Sequence, residues 1–409
     1  MKYIKRHMEQ LILKLNGQYP SILITGPRQT GKTTMLKKLM NQESGDRNYV
    51  SLDDLEVREL ARTDPKLFLQ IHKPPVFIDE VQYAPELFTY IKIHIDENNN
   101  PGDFWLSGSQ LYKLMDGVSE SLAGRVAILH LSPLSQQEIN GYEPTVFTVD
   151  MDGLIKRQKI VTIPDTTEIF DNIFKGGMPA VVSGKYEDTN IFYSGYLKTY
   201  LDKDVKDMYG VIDSLKFMRF VVSVAARCSQ LINYQGIAED CEINQATTKN
   251  WLRILEALGI IFYLHPYSNN TLKRTIKTPK LYFYDTGFVC YLTKWASSET
   301  AMNGAMNGAL LENYTISEIL KSYHNAGKEP YIYYYRDNNK KEIDLLIEQN
   351  GKLFPMEIKK TAMPDKRLTK VFSVIDKSSM DRGTGAVLCM ADKLGAFDRD
   401  NLIVPIGLI

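Results

Sequence analysis

A glycine-rich segment near the amino terminus has the residue types and spacing to bind phosphate. From Ser21 to Thr34 the sequence reads SILITGPRQTGKTT, an apolar run followed by the spacing G-x-x-x-x-G-K-[ST] and the start of a helical pattern. Gly26 and Gly31 permit a tight turn that directs successive backbone N–H groups at phosphate oxygens, helped by the positive end of the following helix. The spacing predicts the phosphate-binding loop of a nucleoside triphosphatase.

Two side chains in this loop have predicted roles toward ATP and Mg²⁺. Lys32 is expected to reach the β- and γ-phosphates, and the hydroxyl of Thr33 is expected to ligate Mg²⁺. ATP and Mg²⁺ are therefore the expected ligands. The predicted nucleotide-binding residues are Gly26, Pro27, Arg28, Gln29, Thr30, Gly31, Lys32, Thr33 and Thr34.

A second apolar run, Val76-Phe77-Ile78, ends in the acidic pair Asp79-Glu80. A triphosphatase needs such a pair, and we expect Asp79 to hold the metal together with Thr33 and Glu80 to act as the base that orients the attacking water. An acidic pair can also be no more than a polar strand end. The strand and helix predicted between Lys32 and Asp79 favour the catalytic interpretation.

Three further polar side chains are candidates near the phosphates. Ser107 ends the next predicted strand and is expected to sense the γ-phosphate, with Ser109 as the second choice. Arg125 precedes another apolar strand and can stabilise transition-state charge, within the subunit or across an interface. The alternative for Arg125 is a solvated side chain at a strand entrance.

The carboxyl-terminal part contains a second set of chemistry-bearing residues. Glu357 and Lys359 are two apart on a predicted strand and so project to the same side. If the preceding strand brings Asp344 beside them, Asp344 and Glu357 can hold Mg²⁺ or Mn²⁺ while Lys359 positions a water against a phosphodiester, and Glu312 can complete the site from a helix. Restriction-type PD-(D/E)xK nucleases use this arrangement. A structural or decayed nuclease fold is the alternative.

The first set of residues requires a sheet of parallel strands. Apolar runs alternate with helical patterns up to about residue 135, with strands predicted at 21–25, 48–52, 75–79, 103–107 and 126–131. This alternation predicts an α/β fold in which helices cover both faces of a parallel sheet and the ligand binds at the carboxyl ends of the strands. The phosphate loop, the acidic pair and the two serines all lie at those ends.

The periodicity changes three times after this sheet. Residues 141–163 read as an irregular connection, and helical patterns at 167–174 and 191–208 suggest a small helical lid. The last part reads as a helix at 309–321, strands at 331–336, 342–348 and 352–359, a helix at 367–375 and a strand at 385–390. The predicted domains are a P-loop ATPase core (1–150), a helical lid region (151–213), a winged helix-turn-helix (214–275) and an α/β restriction-endonuclease-like domain (276–409).

The winged helix-turn-helix is predicted from a polar cap at residues 243–248, an amphipathic helix over 249–258 and a following Gly259-led strand. In DNA-binding versions the second helix enters the major groove, and here its exposed side offers Lys249, Asn250 and Arg253. The following hairpin adds Lys273, Arg274 and Lys277 to this basic patch. DNA is therefore a candidate partner, and a winged helix used only for packing is the alternative.

Composition limits the remaining possibilities. Lys plus Arg equals Asp plus Glu at 49 each, so any nucleic-acid binding must come from a local patch. The four cysteines are scattered without metal-ligand spacing, as in reduced thiols. The amino terminus lacks the apolar core of a signal peptide, and no stretch has the length of a membrane helix. A cytoplasmic protein that does not associate with membranes is expected.

Taken together, these motifs resemble those of a widespread group of uncharacterised prokaryotic AAA-type ATPases. Members combine an ATPase domain of the GPRQ-x-GKTT kind with a GG-[ML]-P segment, a winged helix and a carboxyl-terminal domain of restriction-endonuclease-like fold. The matching segments, besides the Glu312, Asp344 and ExK set, are GPRQTGKTT (26–34), SLDD (51–54), FIDEVQ (77–82), SGSQ (107–110), SLAGR (121–125), GGMP (176–179) and DTG (285–287).

Two functions from different classes are consistent with these motifs. The first is a Mg²⁺-dependent ATPase coupled to a DNA transaction through the winged helix and a nuclease-like domain. The second is a nucleotide-dependent switch or adaptor whose inactive carboxyl-terminal domain binds a protein partner. A homo-oligomer is a further expectation, since Arg125 can act across an interface.

Overall fold

Five parallel strands form the sheet that carries the phosphate loop. The computed structural model describes residues 3–42, 46–109, 121–201, 205, 213–268, 278–337 and 339–409. The strand order is β2-β3-β4-β1-β5, so β4 lies between the strand before the loop and the acidic strand. The predicted α/β class and parallel sheet are confirmed, with each strand end within one residue of its prediction. The strands are β1 (Ser21–Thr25), β2 (Asn48–Ser51), β3 (Val76–Asp79), β4 (Phe104–Ser107) and β5 (Val126–His130).

Helices cover both faces of this sheet because its strands are apolar on both sides. Ile22 and Ile24 face one apolar cluster, whereas Leu23 between them belongs to a second cluster on the opposite face. Helices α1 and α2 pack on the first face, and α3, α4 and α5 on the second. Their bounds are α1 (Met8–Asn16), α2 (Lys32–Met40), α3 (Leu55–Thr63), α4 (Pro65–Ile71) and α5 (Leu87–Asn98).

A run of short helices follows the sheet. One of them, Met151–Gln158, lies where the sequence was expected to be irregular. Its amphipathic signal is weak because only Leu154 is buried, but Asp150 caps it by accepting a hydrogen bond from Gly153 N at 2.8 Å. The helices are α6 (Gln136–Ile139), α7 (Met151–Gln158), α8 (Thr166–Lys175), α9 (Pro179–Val182) and α10 (Thr189–Gly195), the last followed by a π-helical turn, Tyr196–Leu201.

Three helices and two strands occupy the region predicted as a winged helix-turn-helix (214–275), and a strand beyond its predicted end completes a three-stranded antiparallel sheet. Trp251 of the third helix packs edge-on against Phe217 and Phe220 of the first, with ring centroids 5.2 Å apart in both pairs. The predicted hairpin residues Lys273, Arg274 and Lys277 lie outside the described residues, and the winged-helix assignment stays a prediction. The elements are α11 (Ser214–Ala225), β6 (Gln230–Leu231), α12 (Tyr234–Cys241), α13 (Gln245–Ala257), β7 (Ile261–Leu264) and β8 (Lys280–Phe283).

The carboxyl-terminal part is a mixed sheet in the order β14-β15-β13-β11-β10-β9, with β12 paired to β11. It differs from the expectation in three ways: the segment Lys366–Lys377 is 3₁₀ rather than α-helical, the short strand Asp381–Arg382 was not predicted, and two strands follow the last one predicted. The helices are α14 (Thr286–Leu292), α15 (Ser298–Asn303) and α16 (Asn307–Asn325). The strands are β9 (Ile332–Arg336), β10 (Glu342–Gln349), β11 (Lys352–Lys359), β12 (Asp381–Arg382), β13 (Gly385–Cys389), β14 (Gly395–Asp398) and β15 (Asn401–Pro405).

Helix α16 joins the carboxyl-terminal part to the segment that follows β5. Glu318 accepts a hydrogen bond from Gln136 N at 2.8 Å, and Lys321 Nζ donates to Leu134 O at 3.2 Å. One turn further on, His324 Nδ1 lies 3.0 Å from Ser132 Oγ. Since both polar side chains of the Glu318–Lys321 pair are buried, this junction is fixed by directional bonds as well as by apolar contact.

The partly buried His324 makes this junction sensitive to acid. Burial lowers the pKa of His324 to about 4, and the buried His130 ring 4.9 Å away also has a pKa well below the usual 6.5. The unfolded chain therefore binds a proton between about pH 6.5 and pH 4 that the folded chain does not bind. Stability supplied by neutral His324 should be present above pH 6.5 and lost as the pH falls toward 4, by about 3 kcal/mol.

Urea unfolding of the wild type and of His324→Gln at several pH values measures this effect. The wild type should lose stability relative to the variant as the pH is lowered from 7 to 4, because glutamine takes up no proton. Parallel pH dependence in both proteins would contradict the prediction.

Candidate active site

The loop between β1 and α2 has a backbone that requires glycine at two positions. Gly26 has φ +133°, and a Cβ atom there would lie 2.3 Å from Leu131 O. Gly31, with φ +92°, precedes the first residue of α2. The Thr30 hydroxyl closes the loop by donating to Pro27 O at 2.8 Å. No side chain caps the start of α2, because its N-cap residue is Gly31. The first N–H groups of the helix therefore remain for the phosphate that is predicted to bind there.

Lys32 is buried and folded back over its own loop. Its Nζ donates to Gly26 O at 2.9 Å and to Pro27 O at 2.7 Å. Burial lowers the pKa of Lys32 to about 8, although the nearby carboxylates of Glu80 and Asp79 favour the charged form. The ammonium therefore lies close to the loop and to both acidic residues.

Asp79 is the meeting point of three hydroxyl groups from three elements. Thr33 Oγ1 donates to its two oxygens at 2.8 and 3.1 Å, and Ser107 Oγ donates to Oδ1. Tyr49 OH, from β2, donates to Oδ2 at 3.2 Å. The structure thus brings Thr33, Asp79 and Ser107 together as the sequence predicts. Tyr49 was missed because only the order of strands in the sheet puts β2 beside β3.

Glu80 begins a 3₁₀ turn immediately after β3. Its φ of +56° is in the left-handed region, and the turn that follows spans Val81–Tyr83. Gln82 Nε2 donates to Glu80 Oε2, and Ser109 Oγ lies 3.4 Å from the same oxygen. Ser109, the second choice for a sensor of the γ-phosphate, therefore contacts Glu80, whereas Ser107 contacts Asp79.

An apolar cavity of about 160 Å³ opens beside the phosphate loop. Its walls come from the segment before α1, from the loop itself and from α9, which the sequence did not connect with the site. Its apolar lining beside the phosphate loop makes it the candidate site for a nucleobase. The lining includes Tyr3, Ile4, Gln29, Thr30, Gly31, Thr34, Leu134, Pro179 and Ala180.

Arg6 ties the phosphate loop, at Thr30, to the segment that follows β5. Its guanidinium donates to Thr30 O and to Ser132 O, both at 2.7 Å, and its Nε lies 2.9 Å from Glu138 Oε1. Burial would raise the pKa of Glu138, but the charge of Arg6 and backbone N–H groups bring it below its usual value. Arg6 was also missed, since nothing in its local sequence indicates a partner 132 residues away.

Arg125 lies at the opposite edge of the sheet from the phosphate loop. Its backbone O accepts a hydrogen bond from the Ser21 hydroxyl at the start of β1, whereas the loop follows the end of that strand. Its Nε donates to Asp96 at 2.6 Å, on the surface. Because β1 and β5 run parallel, Arg125, which precedes β5, lies at the amino ends of the strands, whereas the phosphate loop lies at their carboxyl ends. The expected role of Arg125 within its own subunit is therefore wrong. A role across an interface stays a prediction.

Asp344, Glu357 and Lys359 meet on the neighbouring antiparallel strands β10 and β11. Lys359 Nζ lies 2.8 Å from Asp344 Oδ2 and 2.7 Å from Glu357 Oε2, and both carboxylates hold its pKa above the usual value. Burial and the charge of Asp344 raise the pKa of Glu357 to about 8. Glu357 Oε1 is buried and has no hydrogen-bond partner among the described residues.

Glu312 does not join this group as a third carboxylate. Its Oε1 accepts hydrogen bonds from Tyr282 OH at 2.6 Å and from Lys280 Nζ at 3.1 Å. Within the described ranges, no three His, Cys, Asp or Glu side chains are grouped to hold a metal ion. The expectation that Glu312 completes a metal site is corrected, because a buried lysine already neutralises that carboxylate.

The predicted DNA-contacting residues lie on the exposed side of α13. Lys249, Asn250 and Arg253 are exposed, whereas Trp251 and Leu252 on the same helix are buried. Lys249 Nζ lies 5.3 Å from the centre of the Tyr234 ring, so the aromatic face partly holds its position. These three side chains are available to a partner on one surface.

A buried aspartate connects the GGMP segment with the helical region. Asp285 accepts hydrogen bonds from Gly177 N at 2.7 Å, Tyr193 OH at 2.7 Å and Phe288 N at 2.8 Å. Gly177 O in turn accepts from Leu134 N at 2.8 Å. The DTG and GGMP motifs therefore meet in space and join the sheet to the helices around α9.

Three family models match separate parts of the chain. Residues 18–140 match a model described as an AAA domain, and residues 166–299 and 307–409 match two domains of unknown function, DUF8612 and DUF4143. The resemblance to AAA-type ATPases is confirmed for the amino-terminal part. The winged-helix and nuclease-like parts of the resemblance stay predictions.

Two relatives are similar to most of the chain. Uncharacterized protein Rv2008c of Mycobacterium tuberculosis is 27% identical over 347 residues, which cover 84% of this chain and 71% of the relative. Uncharacterized protein MJ1637 of Methanocaldococcus jannaschii is 22% identical over 325 residues, covering 73% of this chain and 67% of the relative.

The Walker-type ATPase PABY2304 of Pyrococcus abyssi aligns with a TM-score of 0.43 and 14% identity, covering 71% of this chain and 96% of that one. The RuvB Holliday junction branch migration motor of Thermotoga maritima aligns with a TM-score of 0.32 and 16% identity, covering 63% and 89%. Among the described residues, no helix has the length and apolarity needed to cross a membrane.

Proposed function

We propose that this protein binds ATP and hydrolyses it in the presence of Mg²⁺. One observation carries the proposal: Thr33, Asp79 and Ser107 converge on one point at the carboxyl ends of three adjacent strands. Lys32 and Glu80, the two charged groups that the reaction needs, lie beside that point. The match of residues 18–140 to the AAA domain model supports the same function.

The residues around Asp79 fit Mg²⁺. A threonine hydroxyl and a carboxylate are hard oxygen donors, and Mg²⁺ is commonly held by one or two carboxylates together with water and substrate phosphates. Thr33 and Asp79 would hold the ion, with Ser107 fixing the Asp79 carboxylate. When bound, Mg²⁺ neutralises charge on the β- and γ-phosphates.

The other residues bind and orient the substrate. The N–H groups of the loop and of α2 cradle the phosphates, and Lys32 turns from the carbonyl groups of Gly26 and Pro27 toward the γ-phosphate. The nucleobase enters the apolar cavity between Ile4 and Pro179. Glu80 orients a water molecule for attack on the γ-phosphorus.

Hydrolysis of ATP by the purified protein is the direct test. Phosphate release should require Mg²⁺ and should stop when EDTA removes the metal. Neither binding nor turnover of ATP at millimolar Mg²⁺ would refute the proposal.

The second candidate function is metal-dependent cleavage of nucleic acid by the carboxyl-terminal part. The observation that favours it is the buried, unpartnered Glu357 Oε1 beside Asp344 and Lys359. A buried acceptor without a partner costs about 1–3 kcal/mol, and a bound Mg²⁺ or Mn²⁺ would remove that cost. The exposed Lys249, Asn250 and Arg253 would hold the DNA.

We expect plasmid, single-stranded DNA or RNA to be cut by the wild type in Mg²⁺ or Mn²⁺, and cleavage to fall about 100-fold or more in Asp344→Asn and Glu357→Gln. Both variants keep the size of the side chain while removing its charge. Glu329→Gln, at an exposed position, is the matched control and should cut normally.

Cleavage that persists equally in both variants would contradict a nuclease site at these residues. Absence of cutting, together with no Mn²⁺ binding by the wild type, would instead favour the switch or adaptor function.

A further inference from the structure

The amide nitrogen of Gln82 bonds to Glu80, whereas its amide oxygen has no partner among the described residues. The side chain is 4% exposed, and its Nε2 donates to Glu80 Oε2. Its Oε1 is buried and has no hydrogen-bond partner among the described residues. Rotating the amide to exchange the two atoms would set an oxygen against the Glu80 carboxylate, so the orientation follows from the charge of Glu80.

The turn that holds Gln82 is fixed against the phosphate loop. Tyr83 N donates to Glu80 O and Ala84 N to Val81 O, each at 3.1 Å, so the 3₁₀ turn is closed by backbone bonds. Arg28 of the loop donates to Tyr83 OH at 3.2 Å. The amide nitrogen of Gln82 is therefore held against the Glu80 carboxylate, on an element that contacts the loop, and the amide oxygen is its second, unpartnered atom.

We propose that Gln82 positions the attacking water together with Glu80, an inference that rests on the proposed ATP hydrolysis. The water donates one hydrogen bond to Glu80 and one to Gln82 Oε1, which aims a lone pair of its oxygen at the γ-phosphorus. The water oxygen then forms a bond to phosphorus while the bond from phosphorus to the β–γ bridging oxygen breaks. ADP keeps that electron pair, and one proton of the water passes to Glu80, giving ADP and inorganic phosphate.

This role separates binding of ATP from its turnover. A group that contacts only the water should contribute to the transition state and not to the affinity for ADP or ATP. The substitution Gln82→Met keeps the length of the side chain and removes both hydrogen-bonding atoms. Gln70→Met, at an exposed position on α4, is the matched control.

The experiment measures kcat, KM for ATP and the affinities for ADP alone and for ADP with aluminium fluoride and Mg²⁺, a complex that resembles the transition state. In Gln82→Met, kcat should fall about 10- to 100-fold, KM and ADP affinity should change less than about 3-fold, and the aluminium fluoride complex should weaken by a factor similar to that of kcat. A general loss of folded structure would instead lower ADP affinity and kcat together.

The second variant, Gln82→Glu, keeps the size of the side chain and an acceptor oxygen, but it cannot donate to Glu80 and sets a second carboxylate beside it. Because both partners of the water are disturbed, kcat should fall while ADP affinity is retained. Normal kcat in Gln82→Met, or equal losses of ADP affinity and kcat in both variants, would overturn the role of Gln82. In either case, turnover by the wild type and Gln70→Met would leave the proposed ATPase function intact. No turnover in those two proteins would overturn both proposals.

Discussion

Replacing Lys32 with alanine should abolish ATP turnover. The ammonium of Lys32 is buried beside the loop and next to Glu80 and Asp79, where it can approach the γ-phosphate by leaving the carbonyl oxygens of Gly26 and Pro27. In a site with little water, one such charge stabilises the transferring phosphoryl group strongly, so kcat/KM should fall at least about 100-fold. Phosphate release and binding of a fluorescent ATP analogue measure the two parts of the effect.

Two companion variants make this result specific. Lys66→Ala removes an exposed lysine from α4 and should leave turnover unchanged. Glu80→Gln should keep ATP affinity but stop hydrolysis, so that ATP rather than ADP remains bound after incubation. Undiminished ATPase activity in purified Lys32→Ala would show that the observed turnover comes from another site or from a contaminant.

Replacing Arg6 with methionine should cost about 3–5 kcal/mol of unfolding free energy. The side chains of Arg6 and Glu138 are 3% and 0% exposed, and removing Arg6 leaves the Glu138 carboxylate buried without its counter-charge. Two carbonyl groups, Thr30 O and Ser132 O, lose a hydrogen bond at the same time. Because Thr30 belongs to the phosphate loop, ATP affinity should decrease along with stability.

Urea unfolding of Arg6→Met measures the loss, with Arg399→Met at an exposed position as its control. The double variant Arg6→Met/Glu138→Gln should recover part of the stability, because the remaining side chain is no longer charged. A loss smaller than about 1 kcal/mol in Arg6→Met would contradict the importance assigned to this pair.

Local patterns in the sequence were sufficient for the five strands of the parallel sheet and for the cluster around Asp79. Apolar runs defined the strands, and the spacing of the loop motif identified Lys32 and Thr33. Ser107 followed from its place at the end of the next strand. These features depend on neighbours in sequence or on the shared direction of parallel strands, which the alternation of strands and helices reveals.

The remaining features depend on contacts between distant segments. Tyr49 and Arg6 reach the site through the order of strands and through a partner far along the chain. Glu312 was wrongly assigned to a metal site because its actual partner, the buried Lys280, lies in a different element and could not be recognised from the local sequence. The within-subunit role of Arg125 failed because a residue that precedes a parallel strand lies at the edge opposite the loop.

The bonds from α16 to the segment after β5 have a consequence for how such chains can be recombined. Glu318, Lys321 and His324 contact Gln136, Leu134 and Ser132, so the junction is encoded half in the amino-terminal part and half in the carboxyl-terminal part. In a chimera that took its ATPase-like part from one relative and its last hundred residues from another, the two sides of this junction would not match. Exchange between relatives would have to transfer both halves of the junction together. Helix α16 would therefore have to be exchanged together with the amino-terminal sheet.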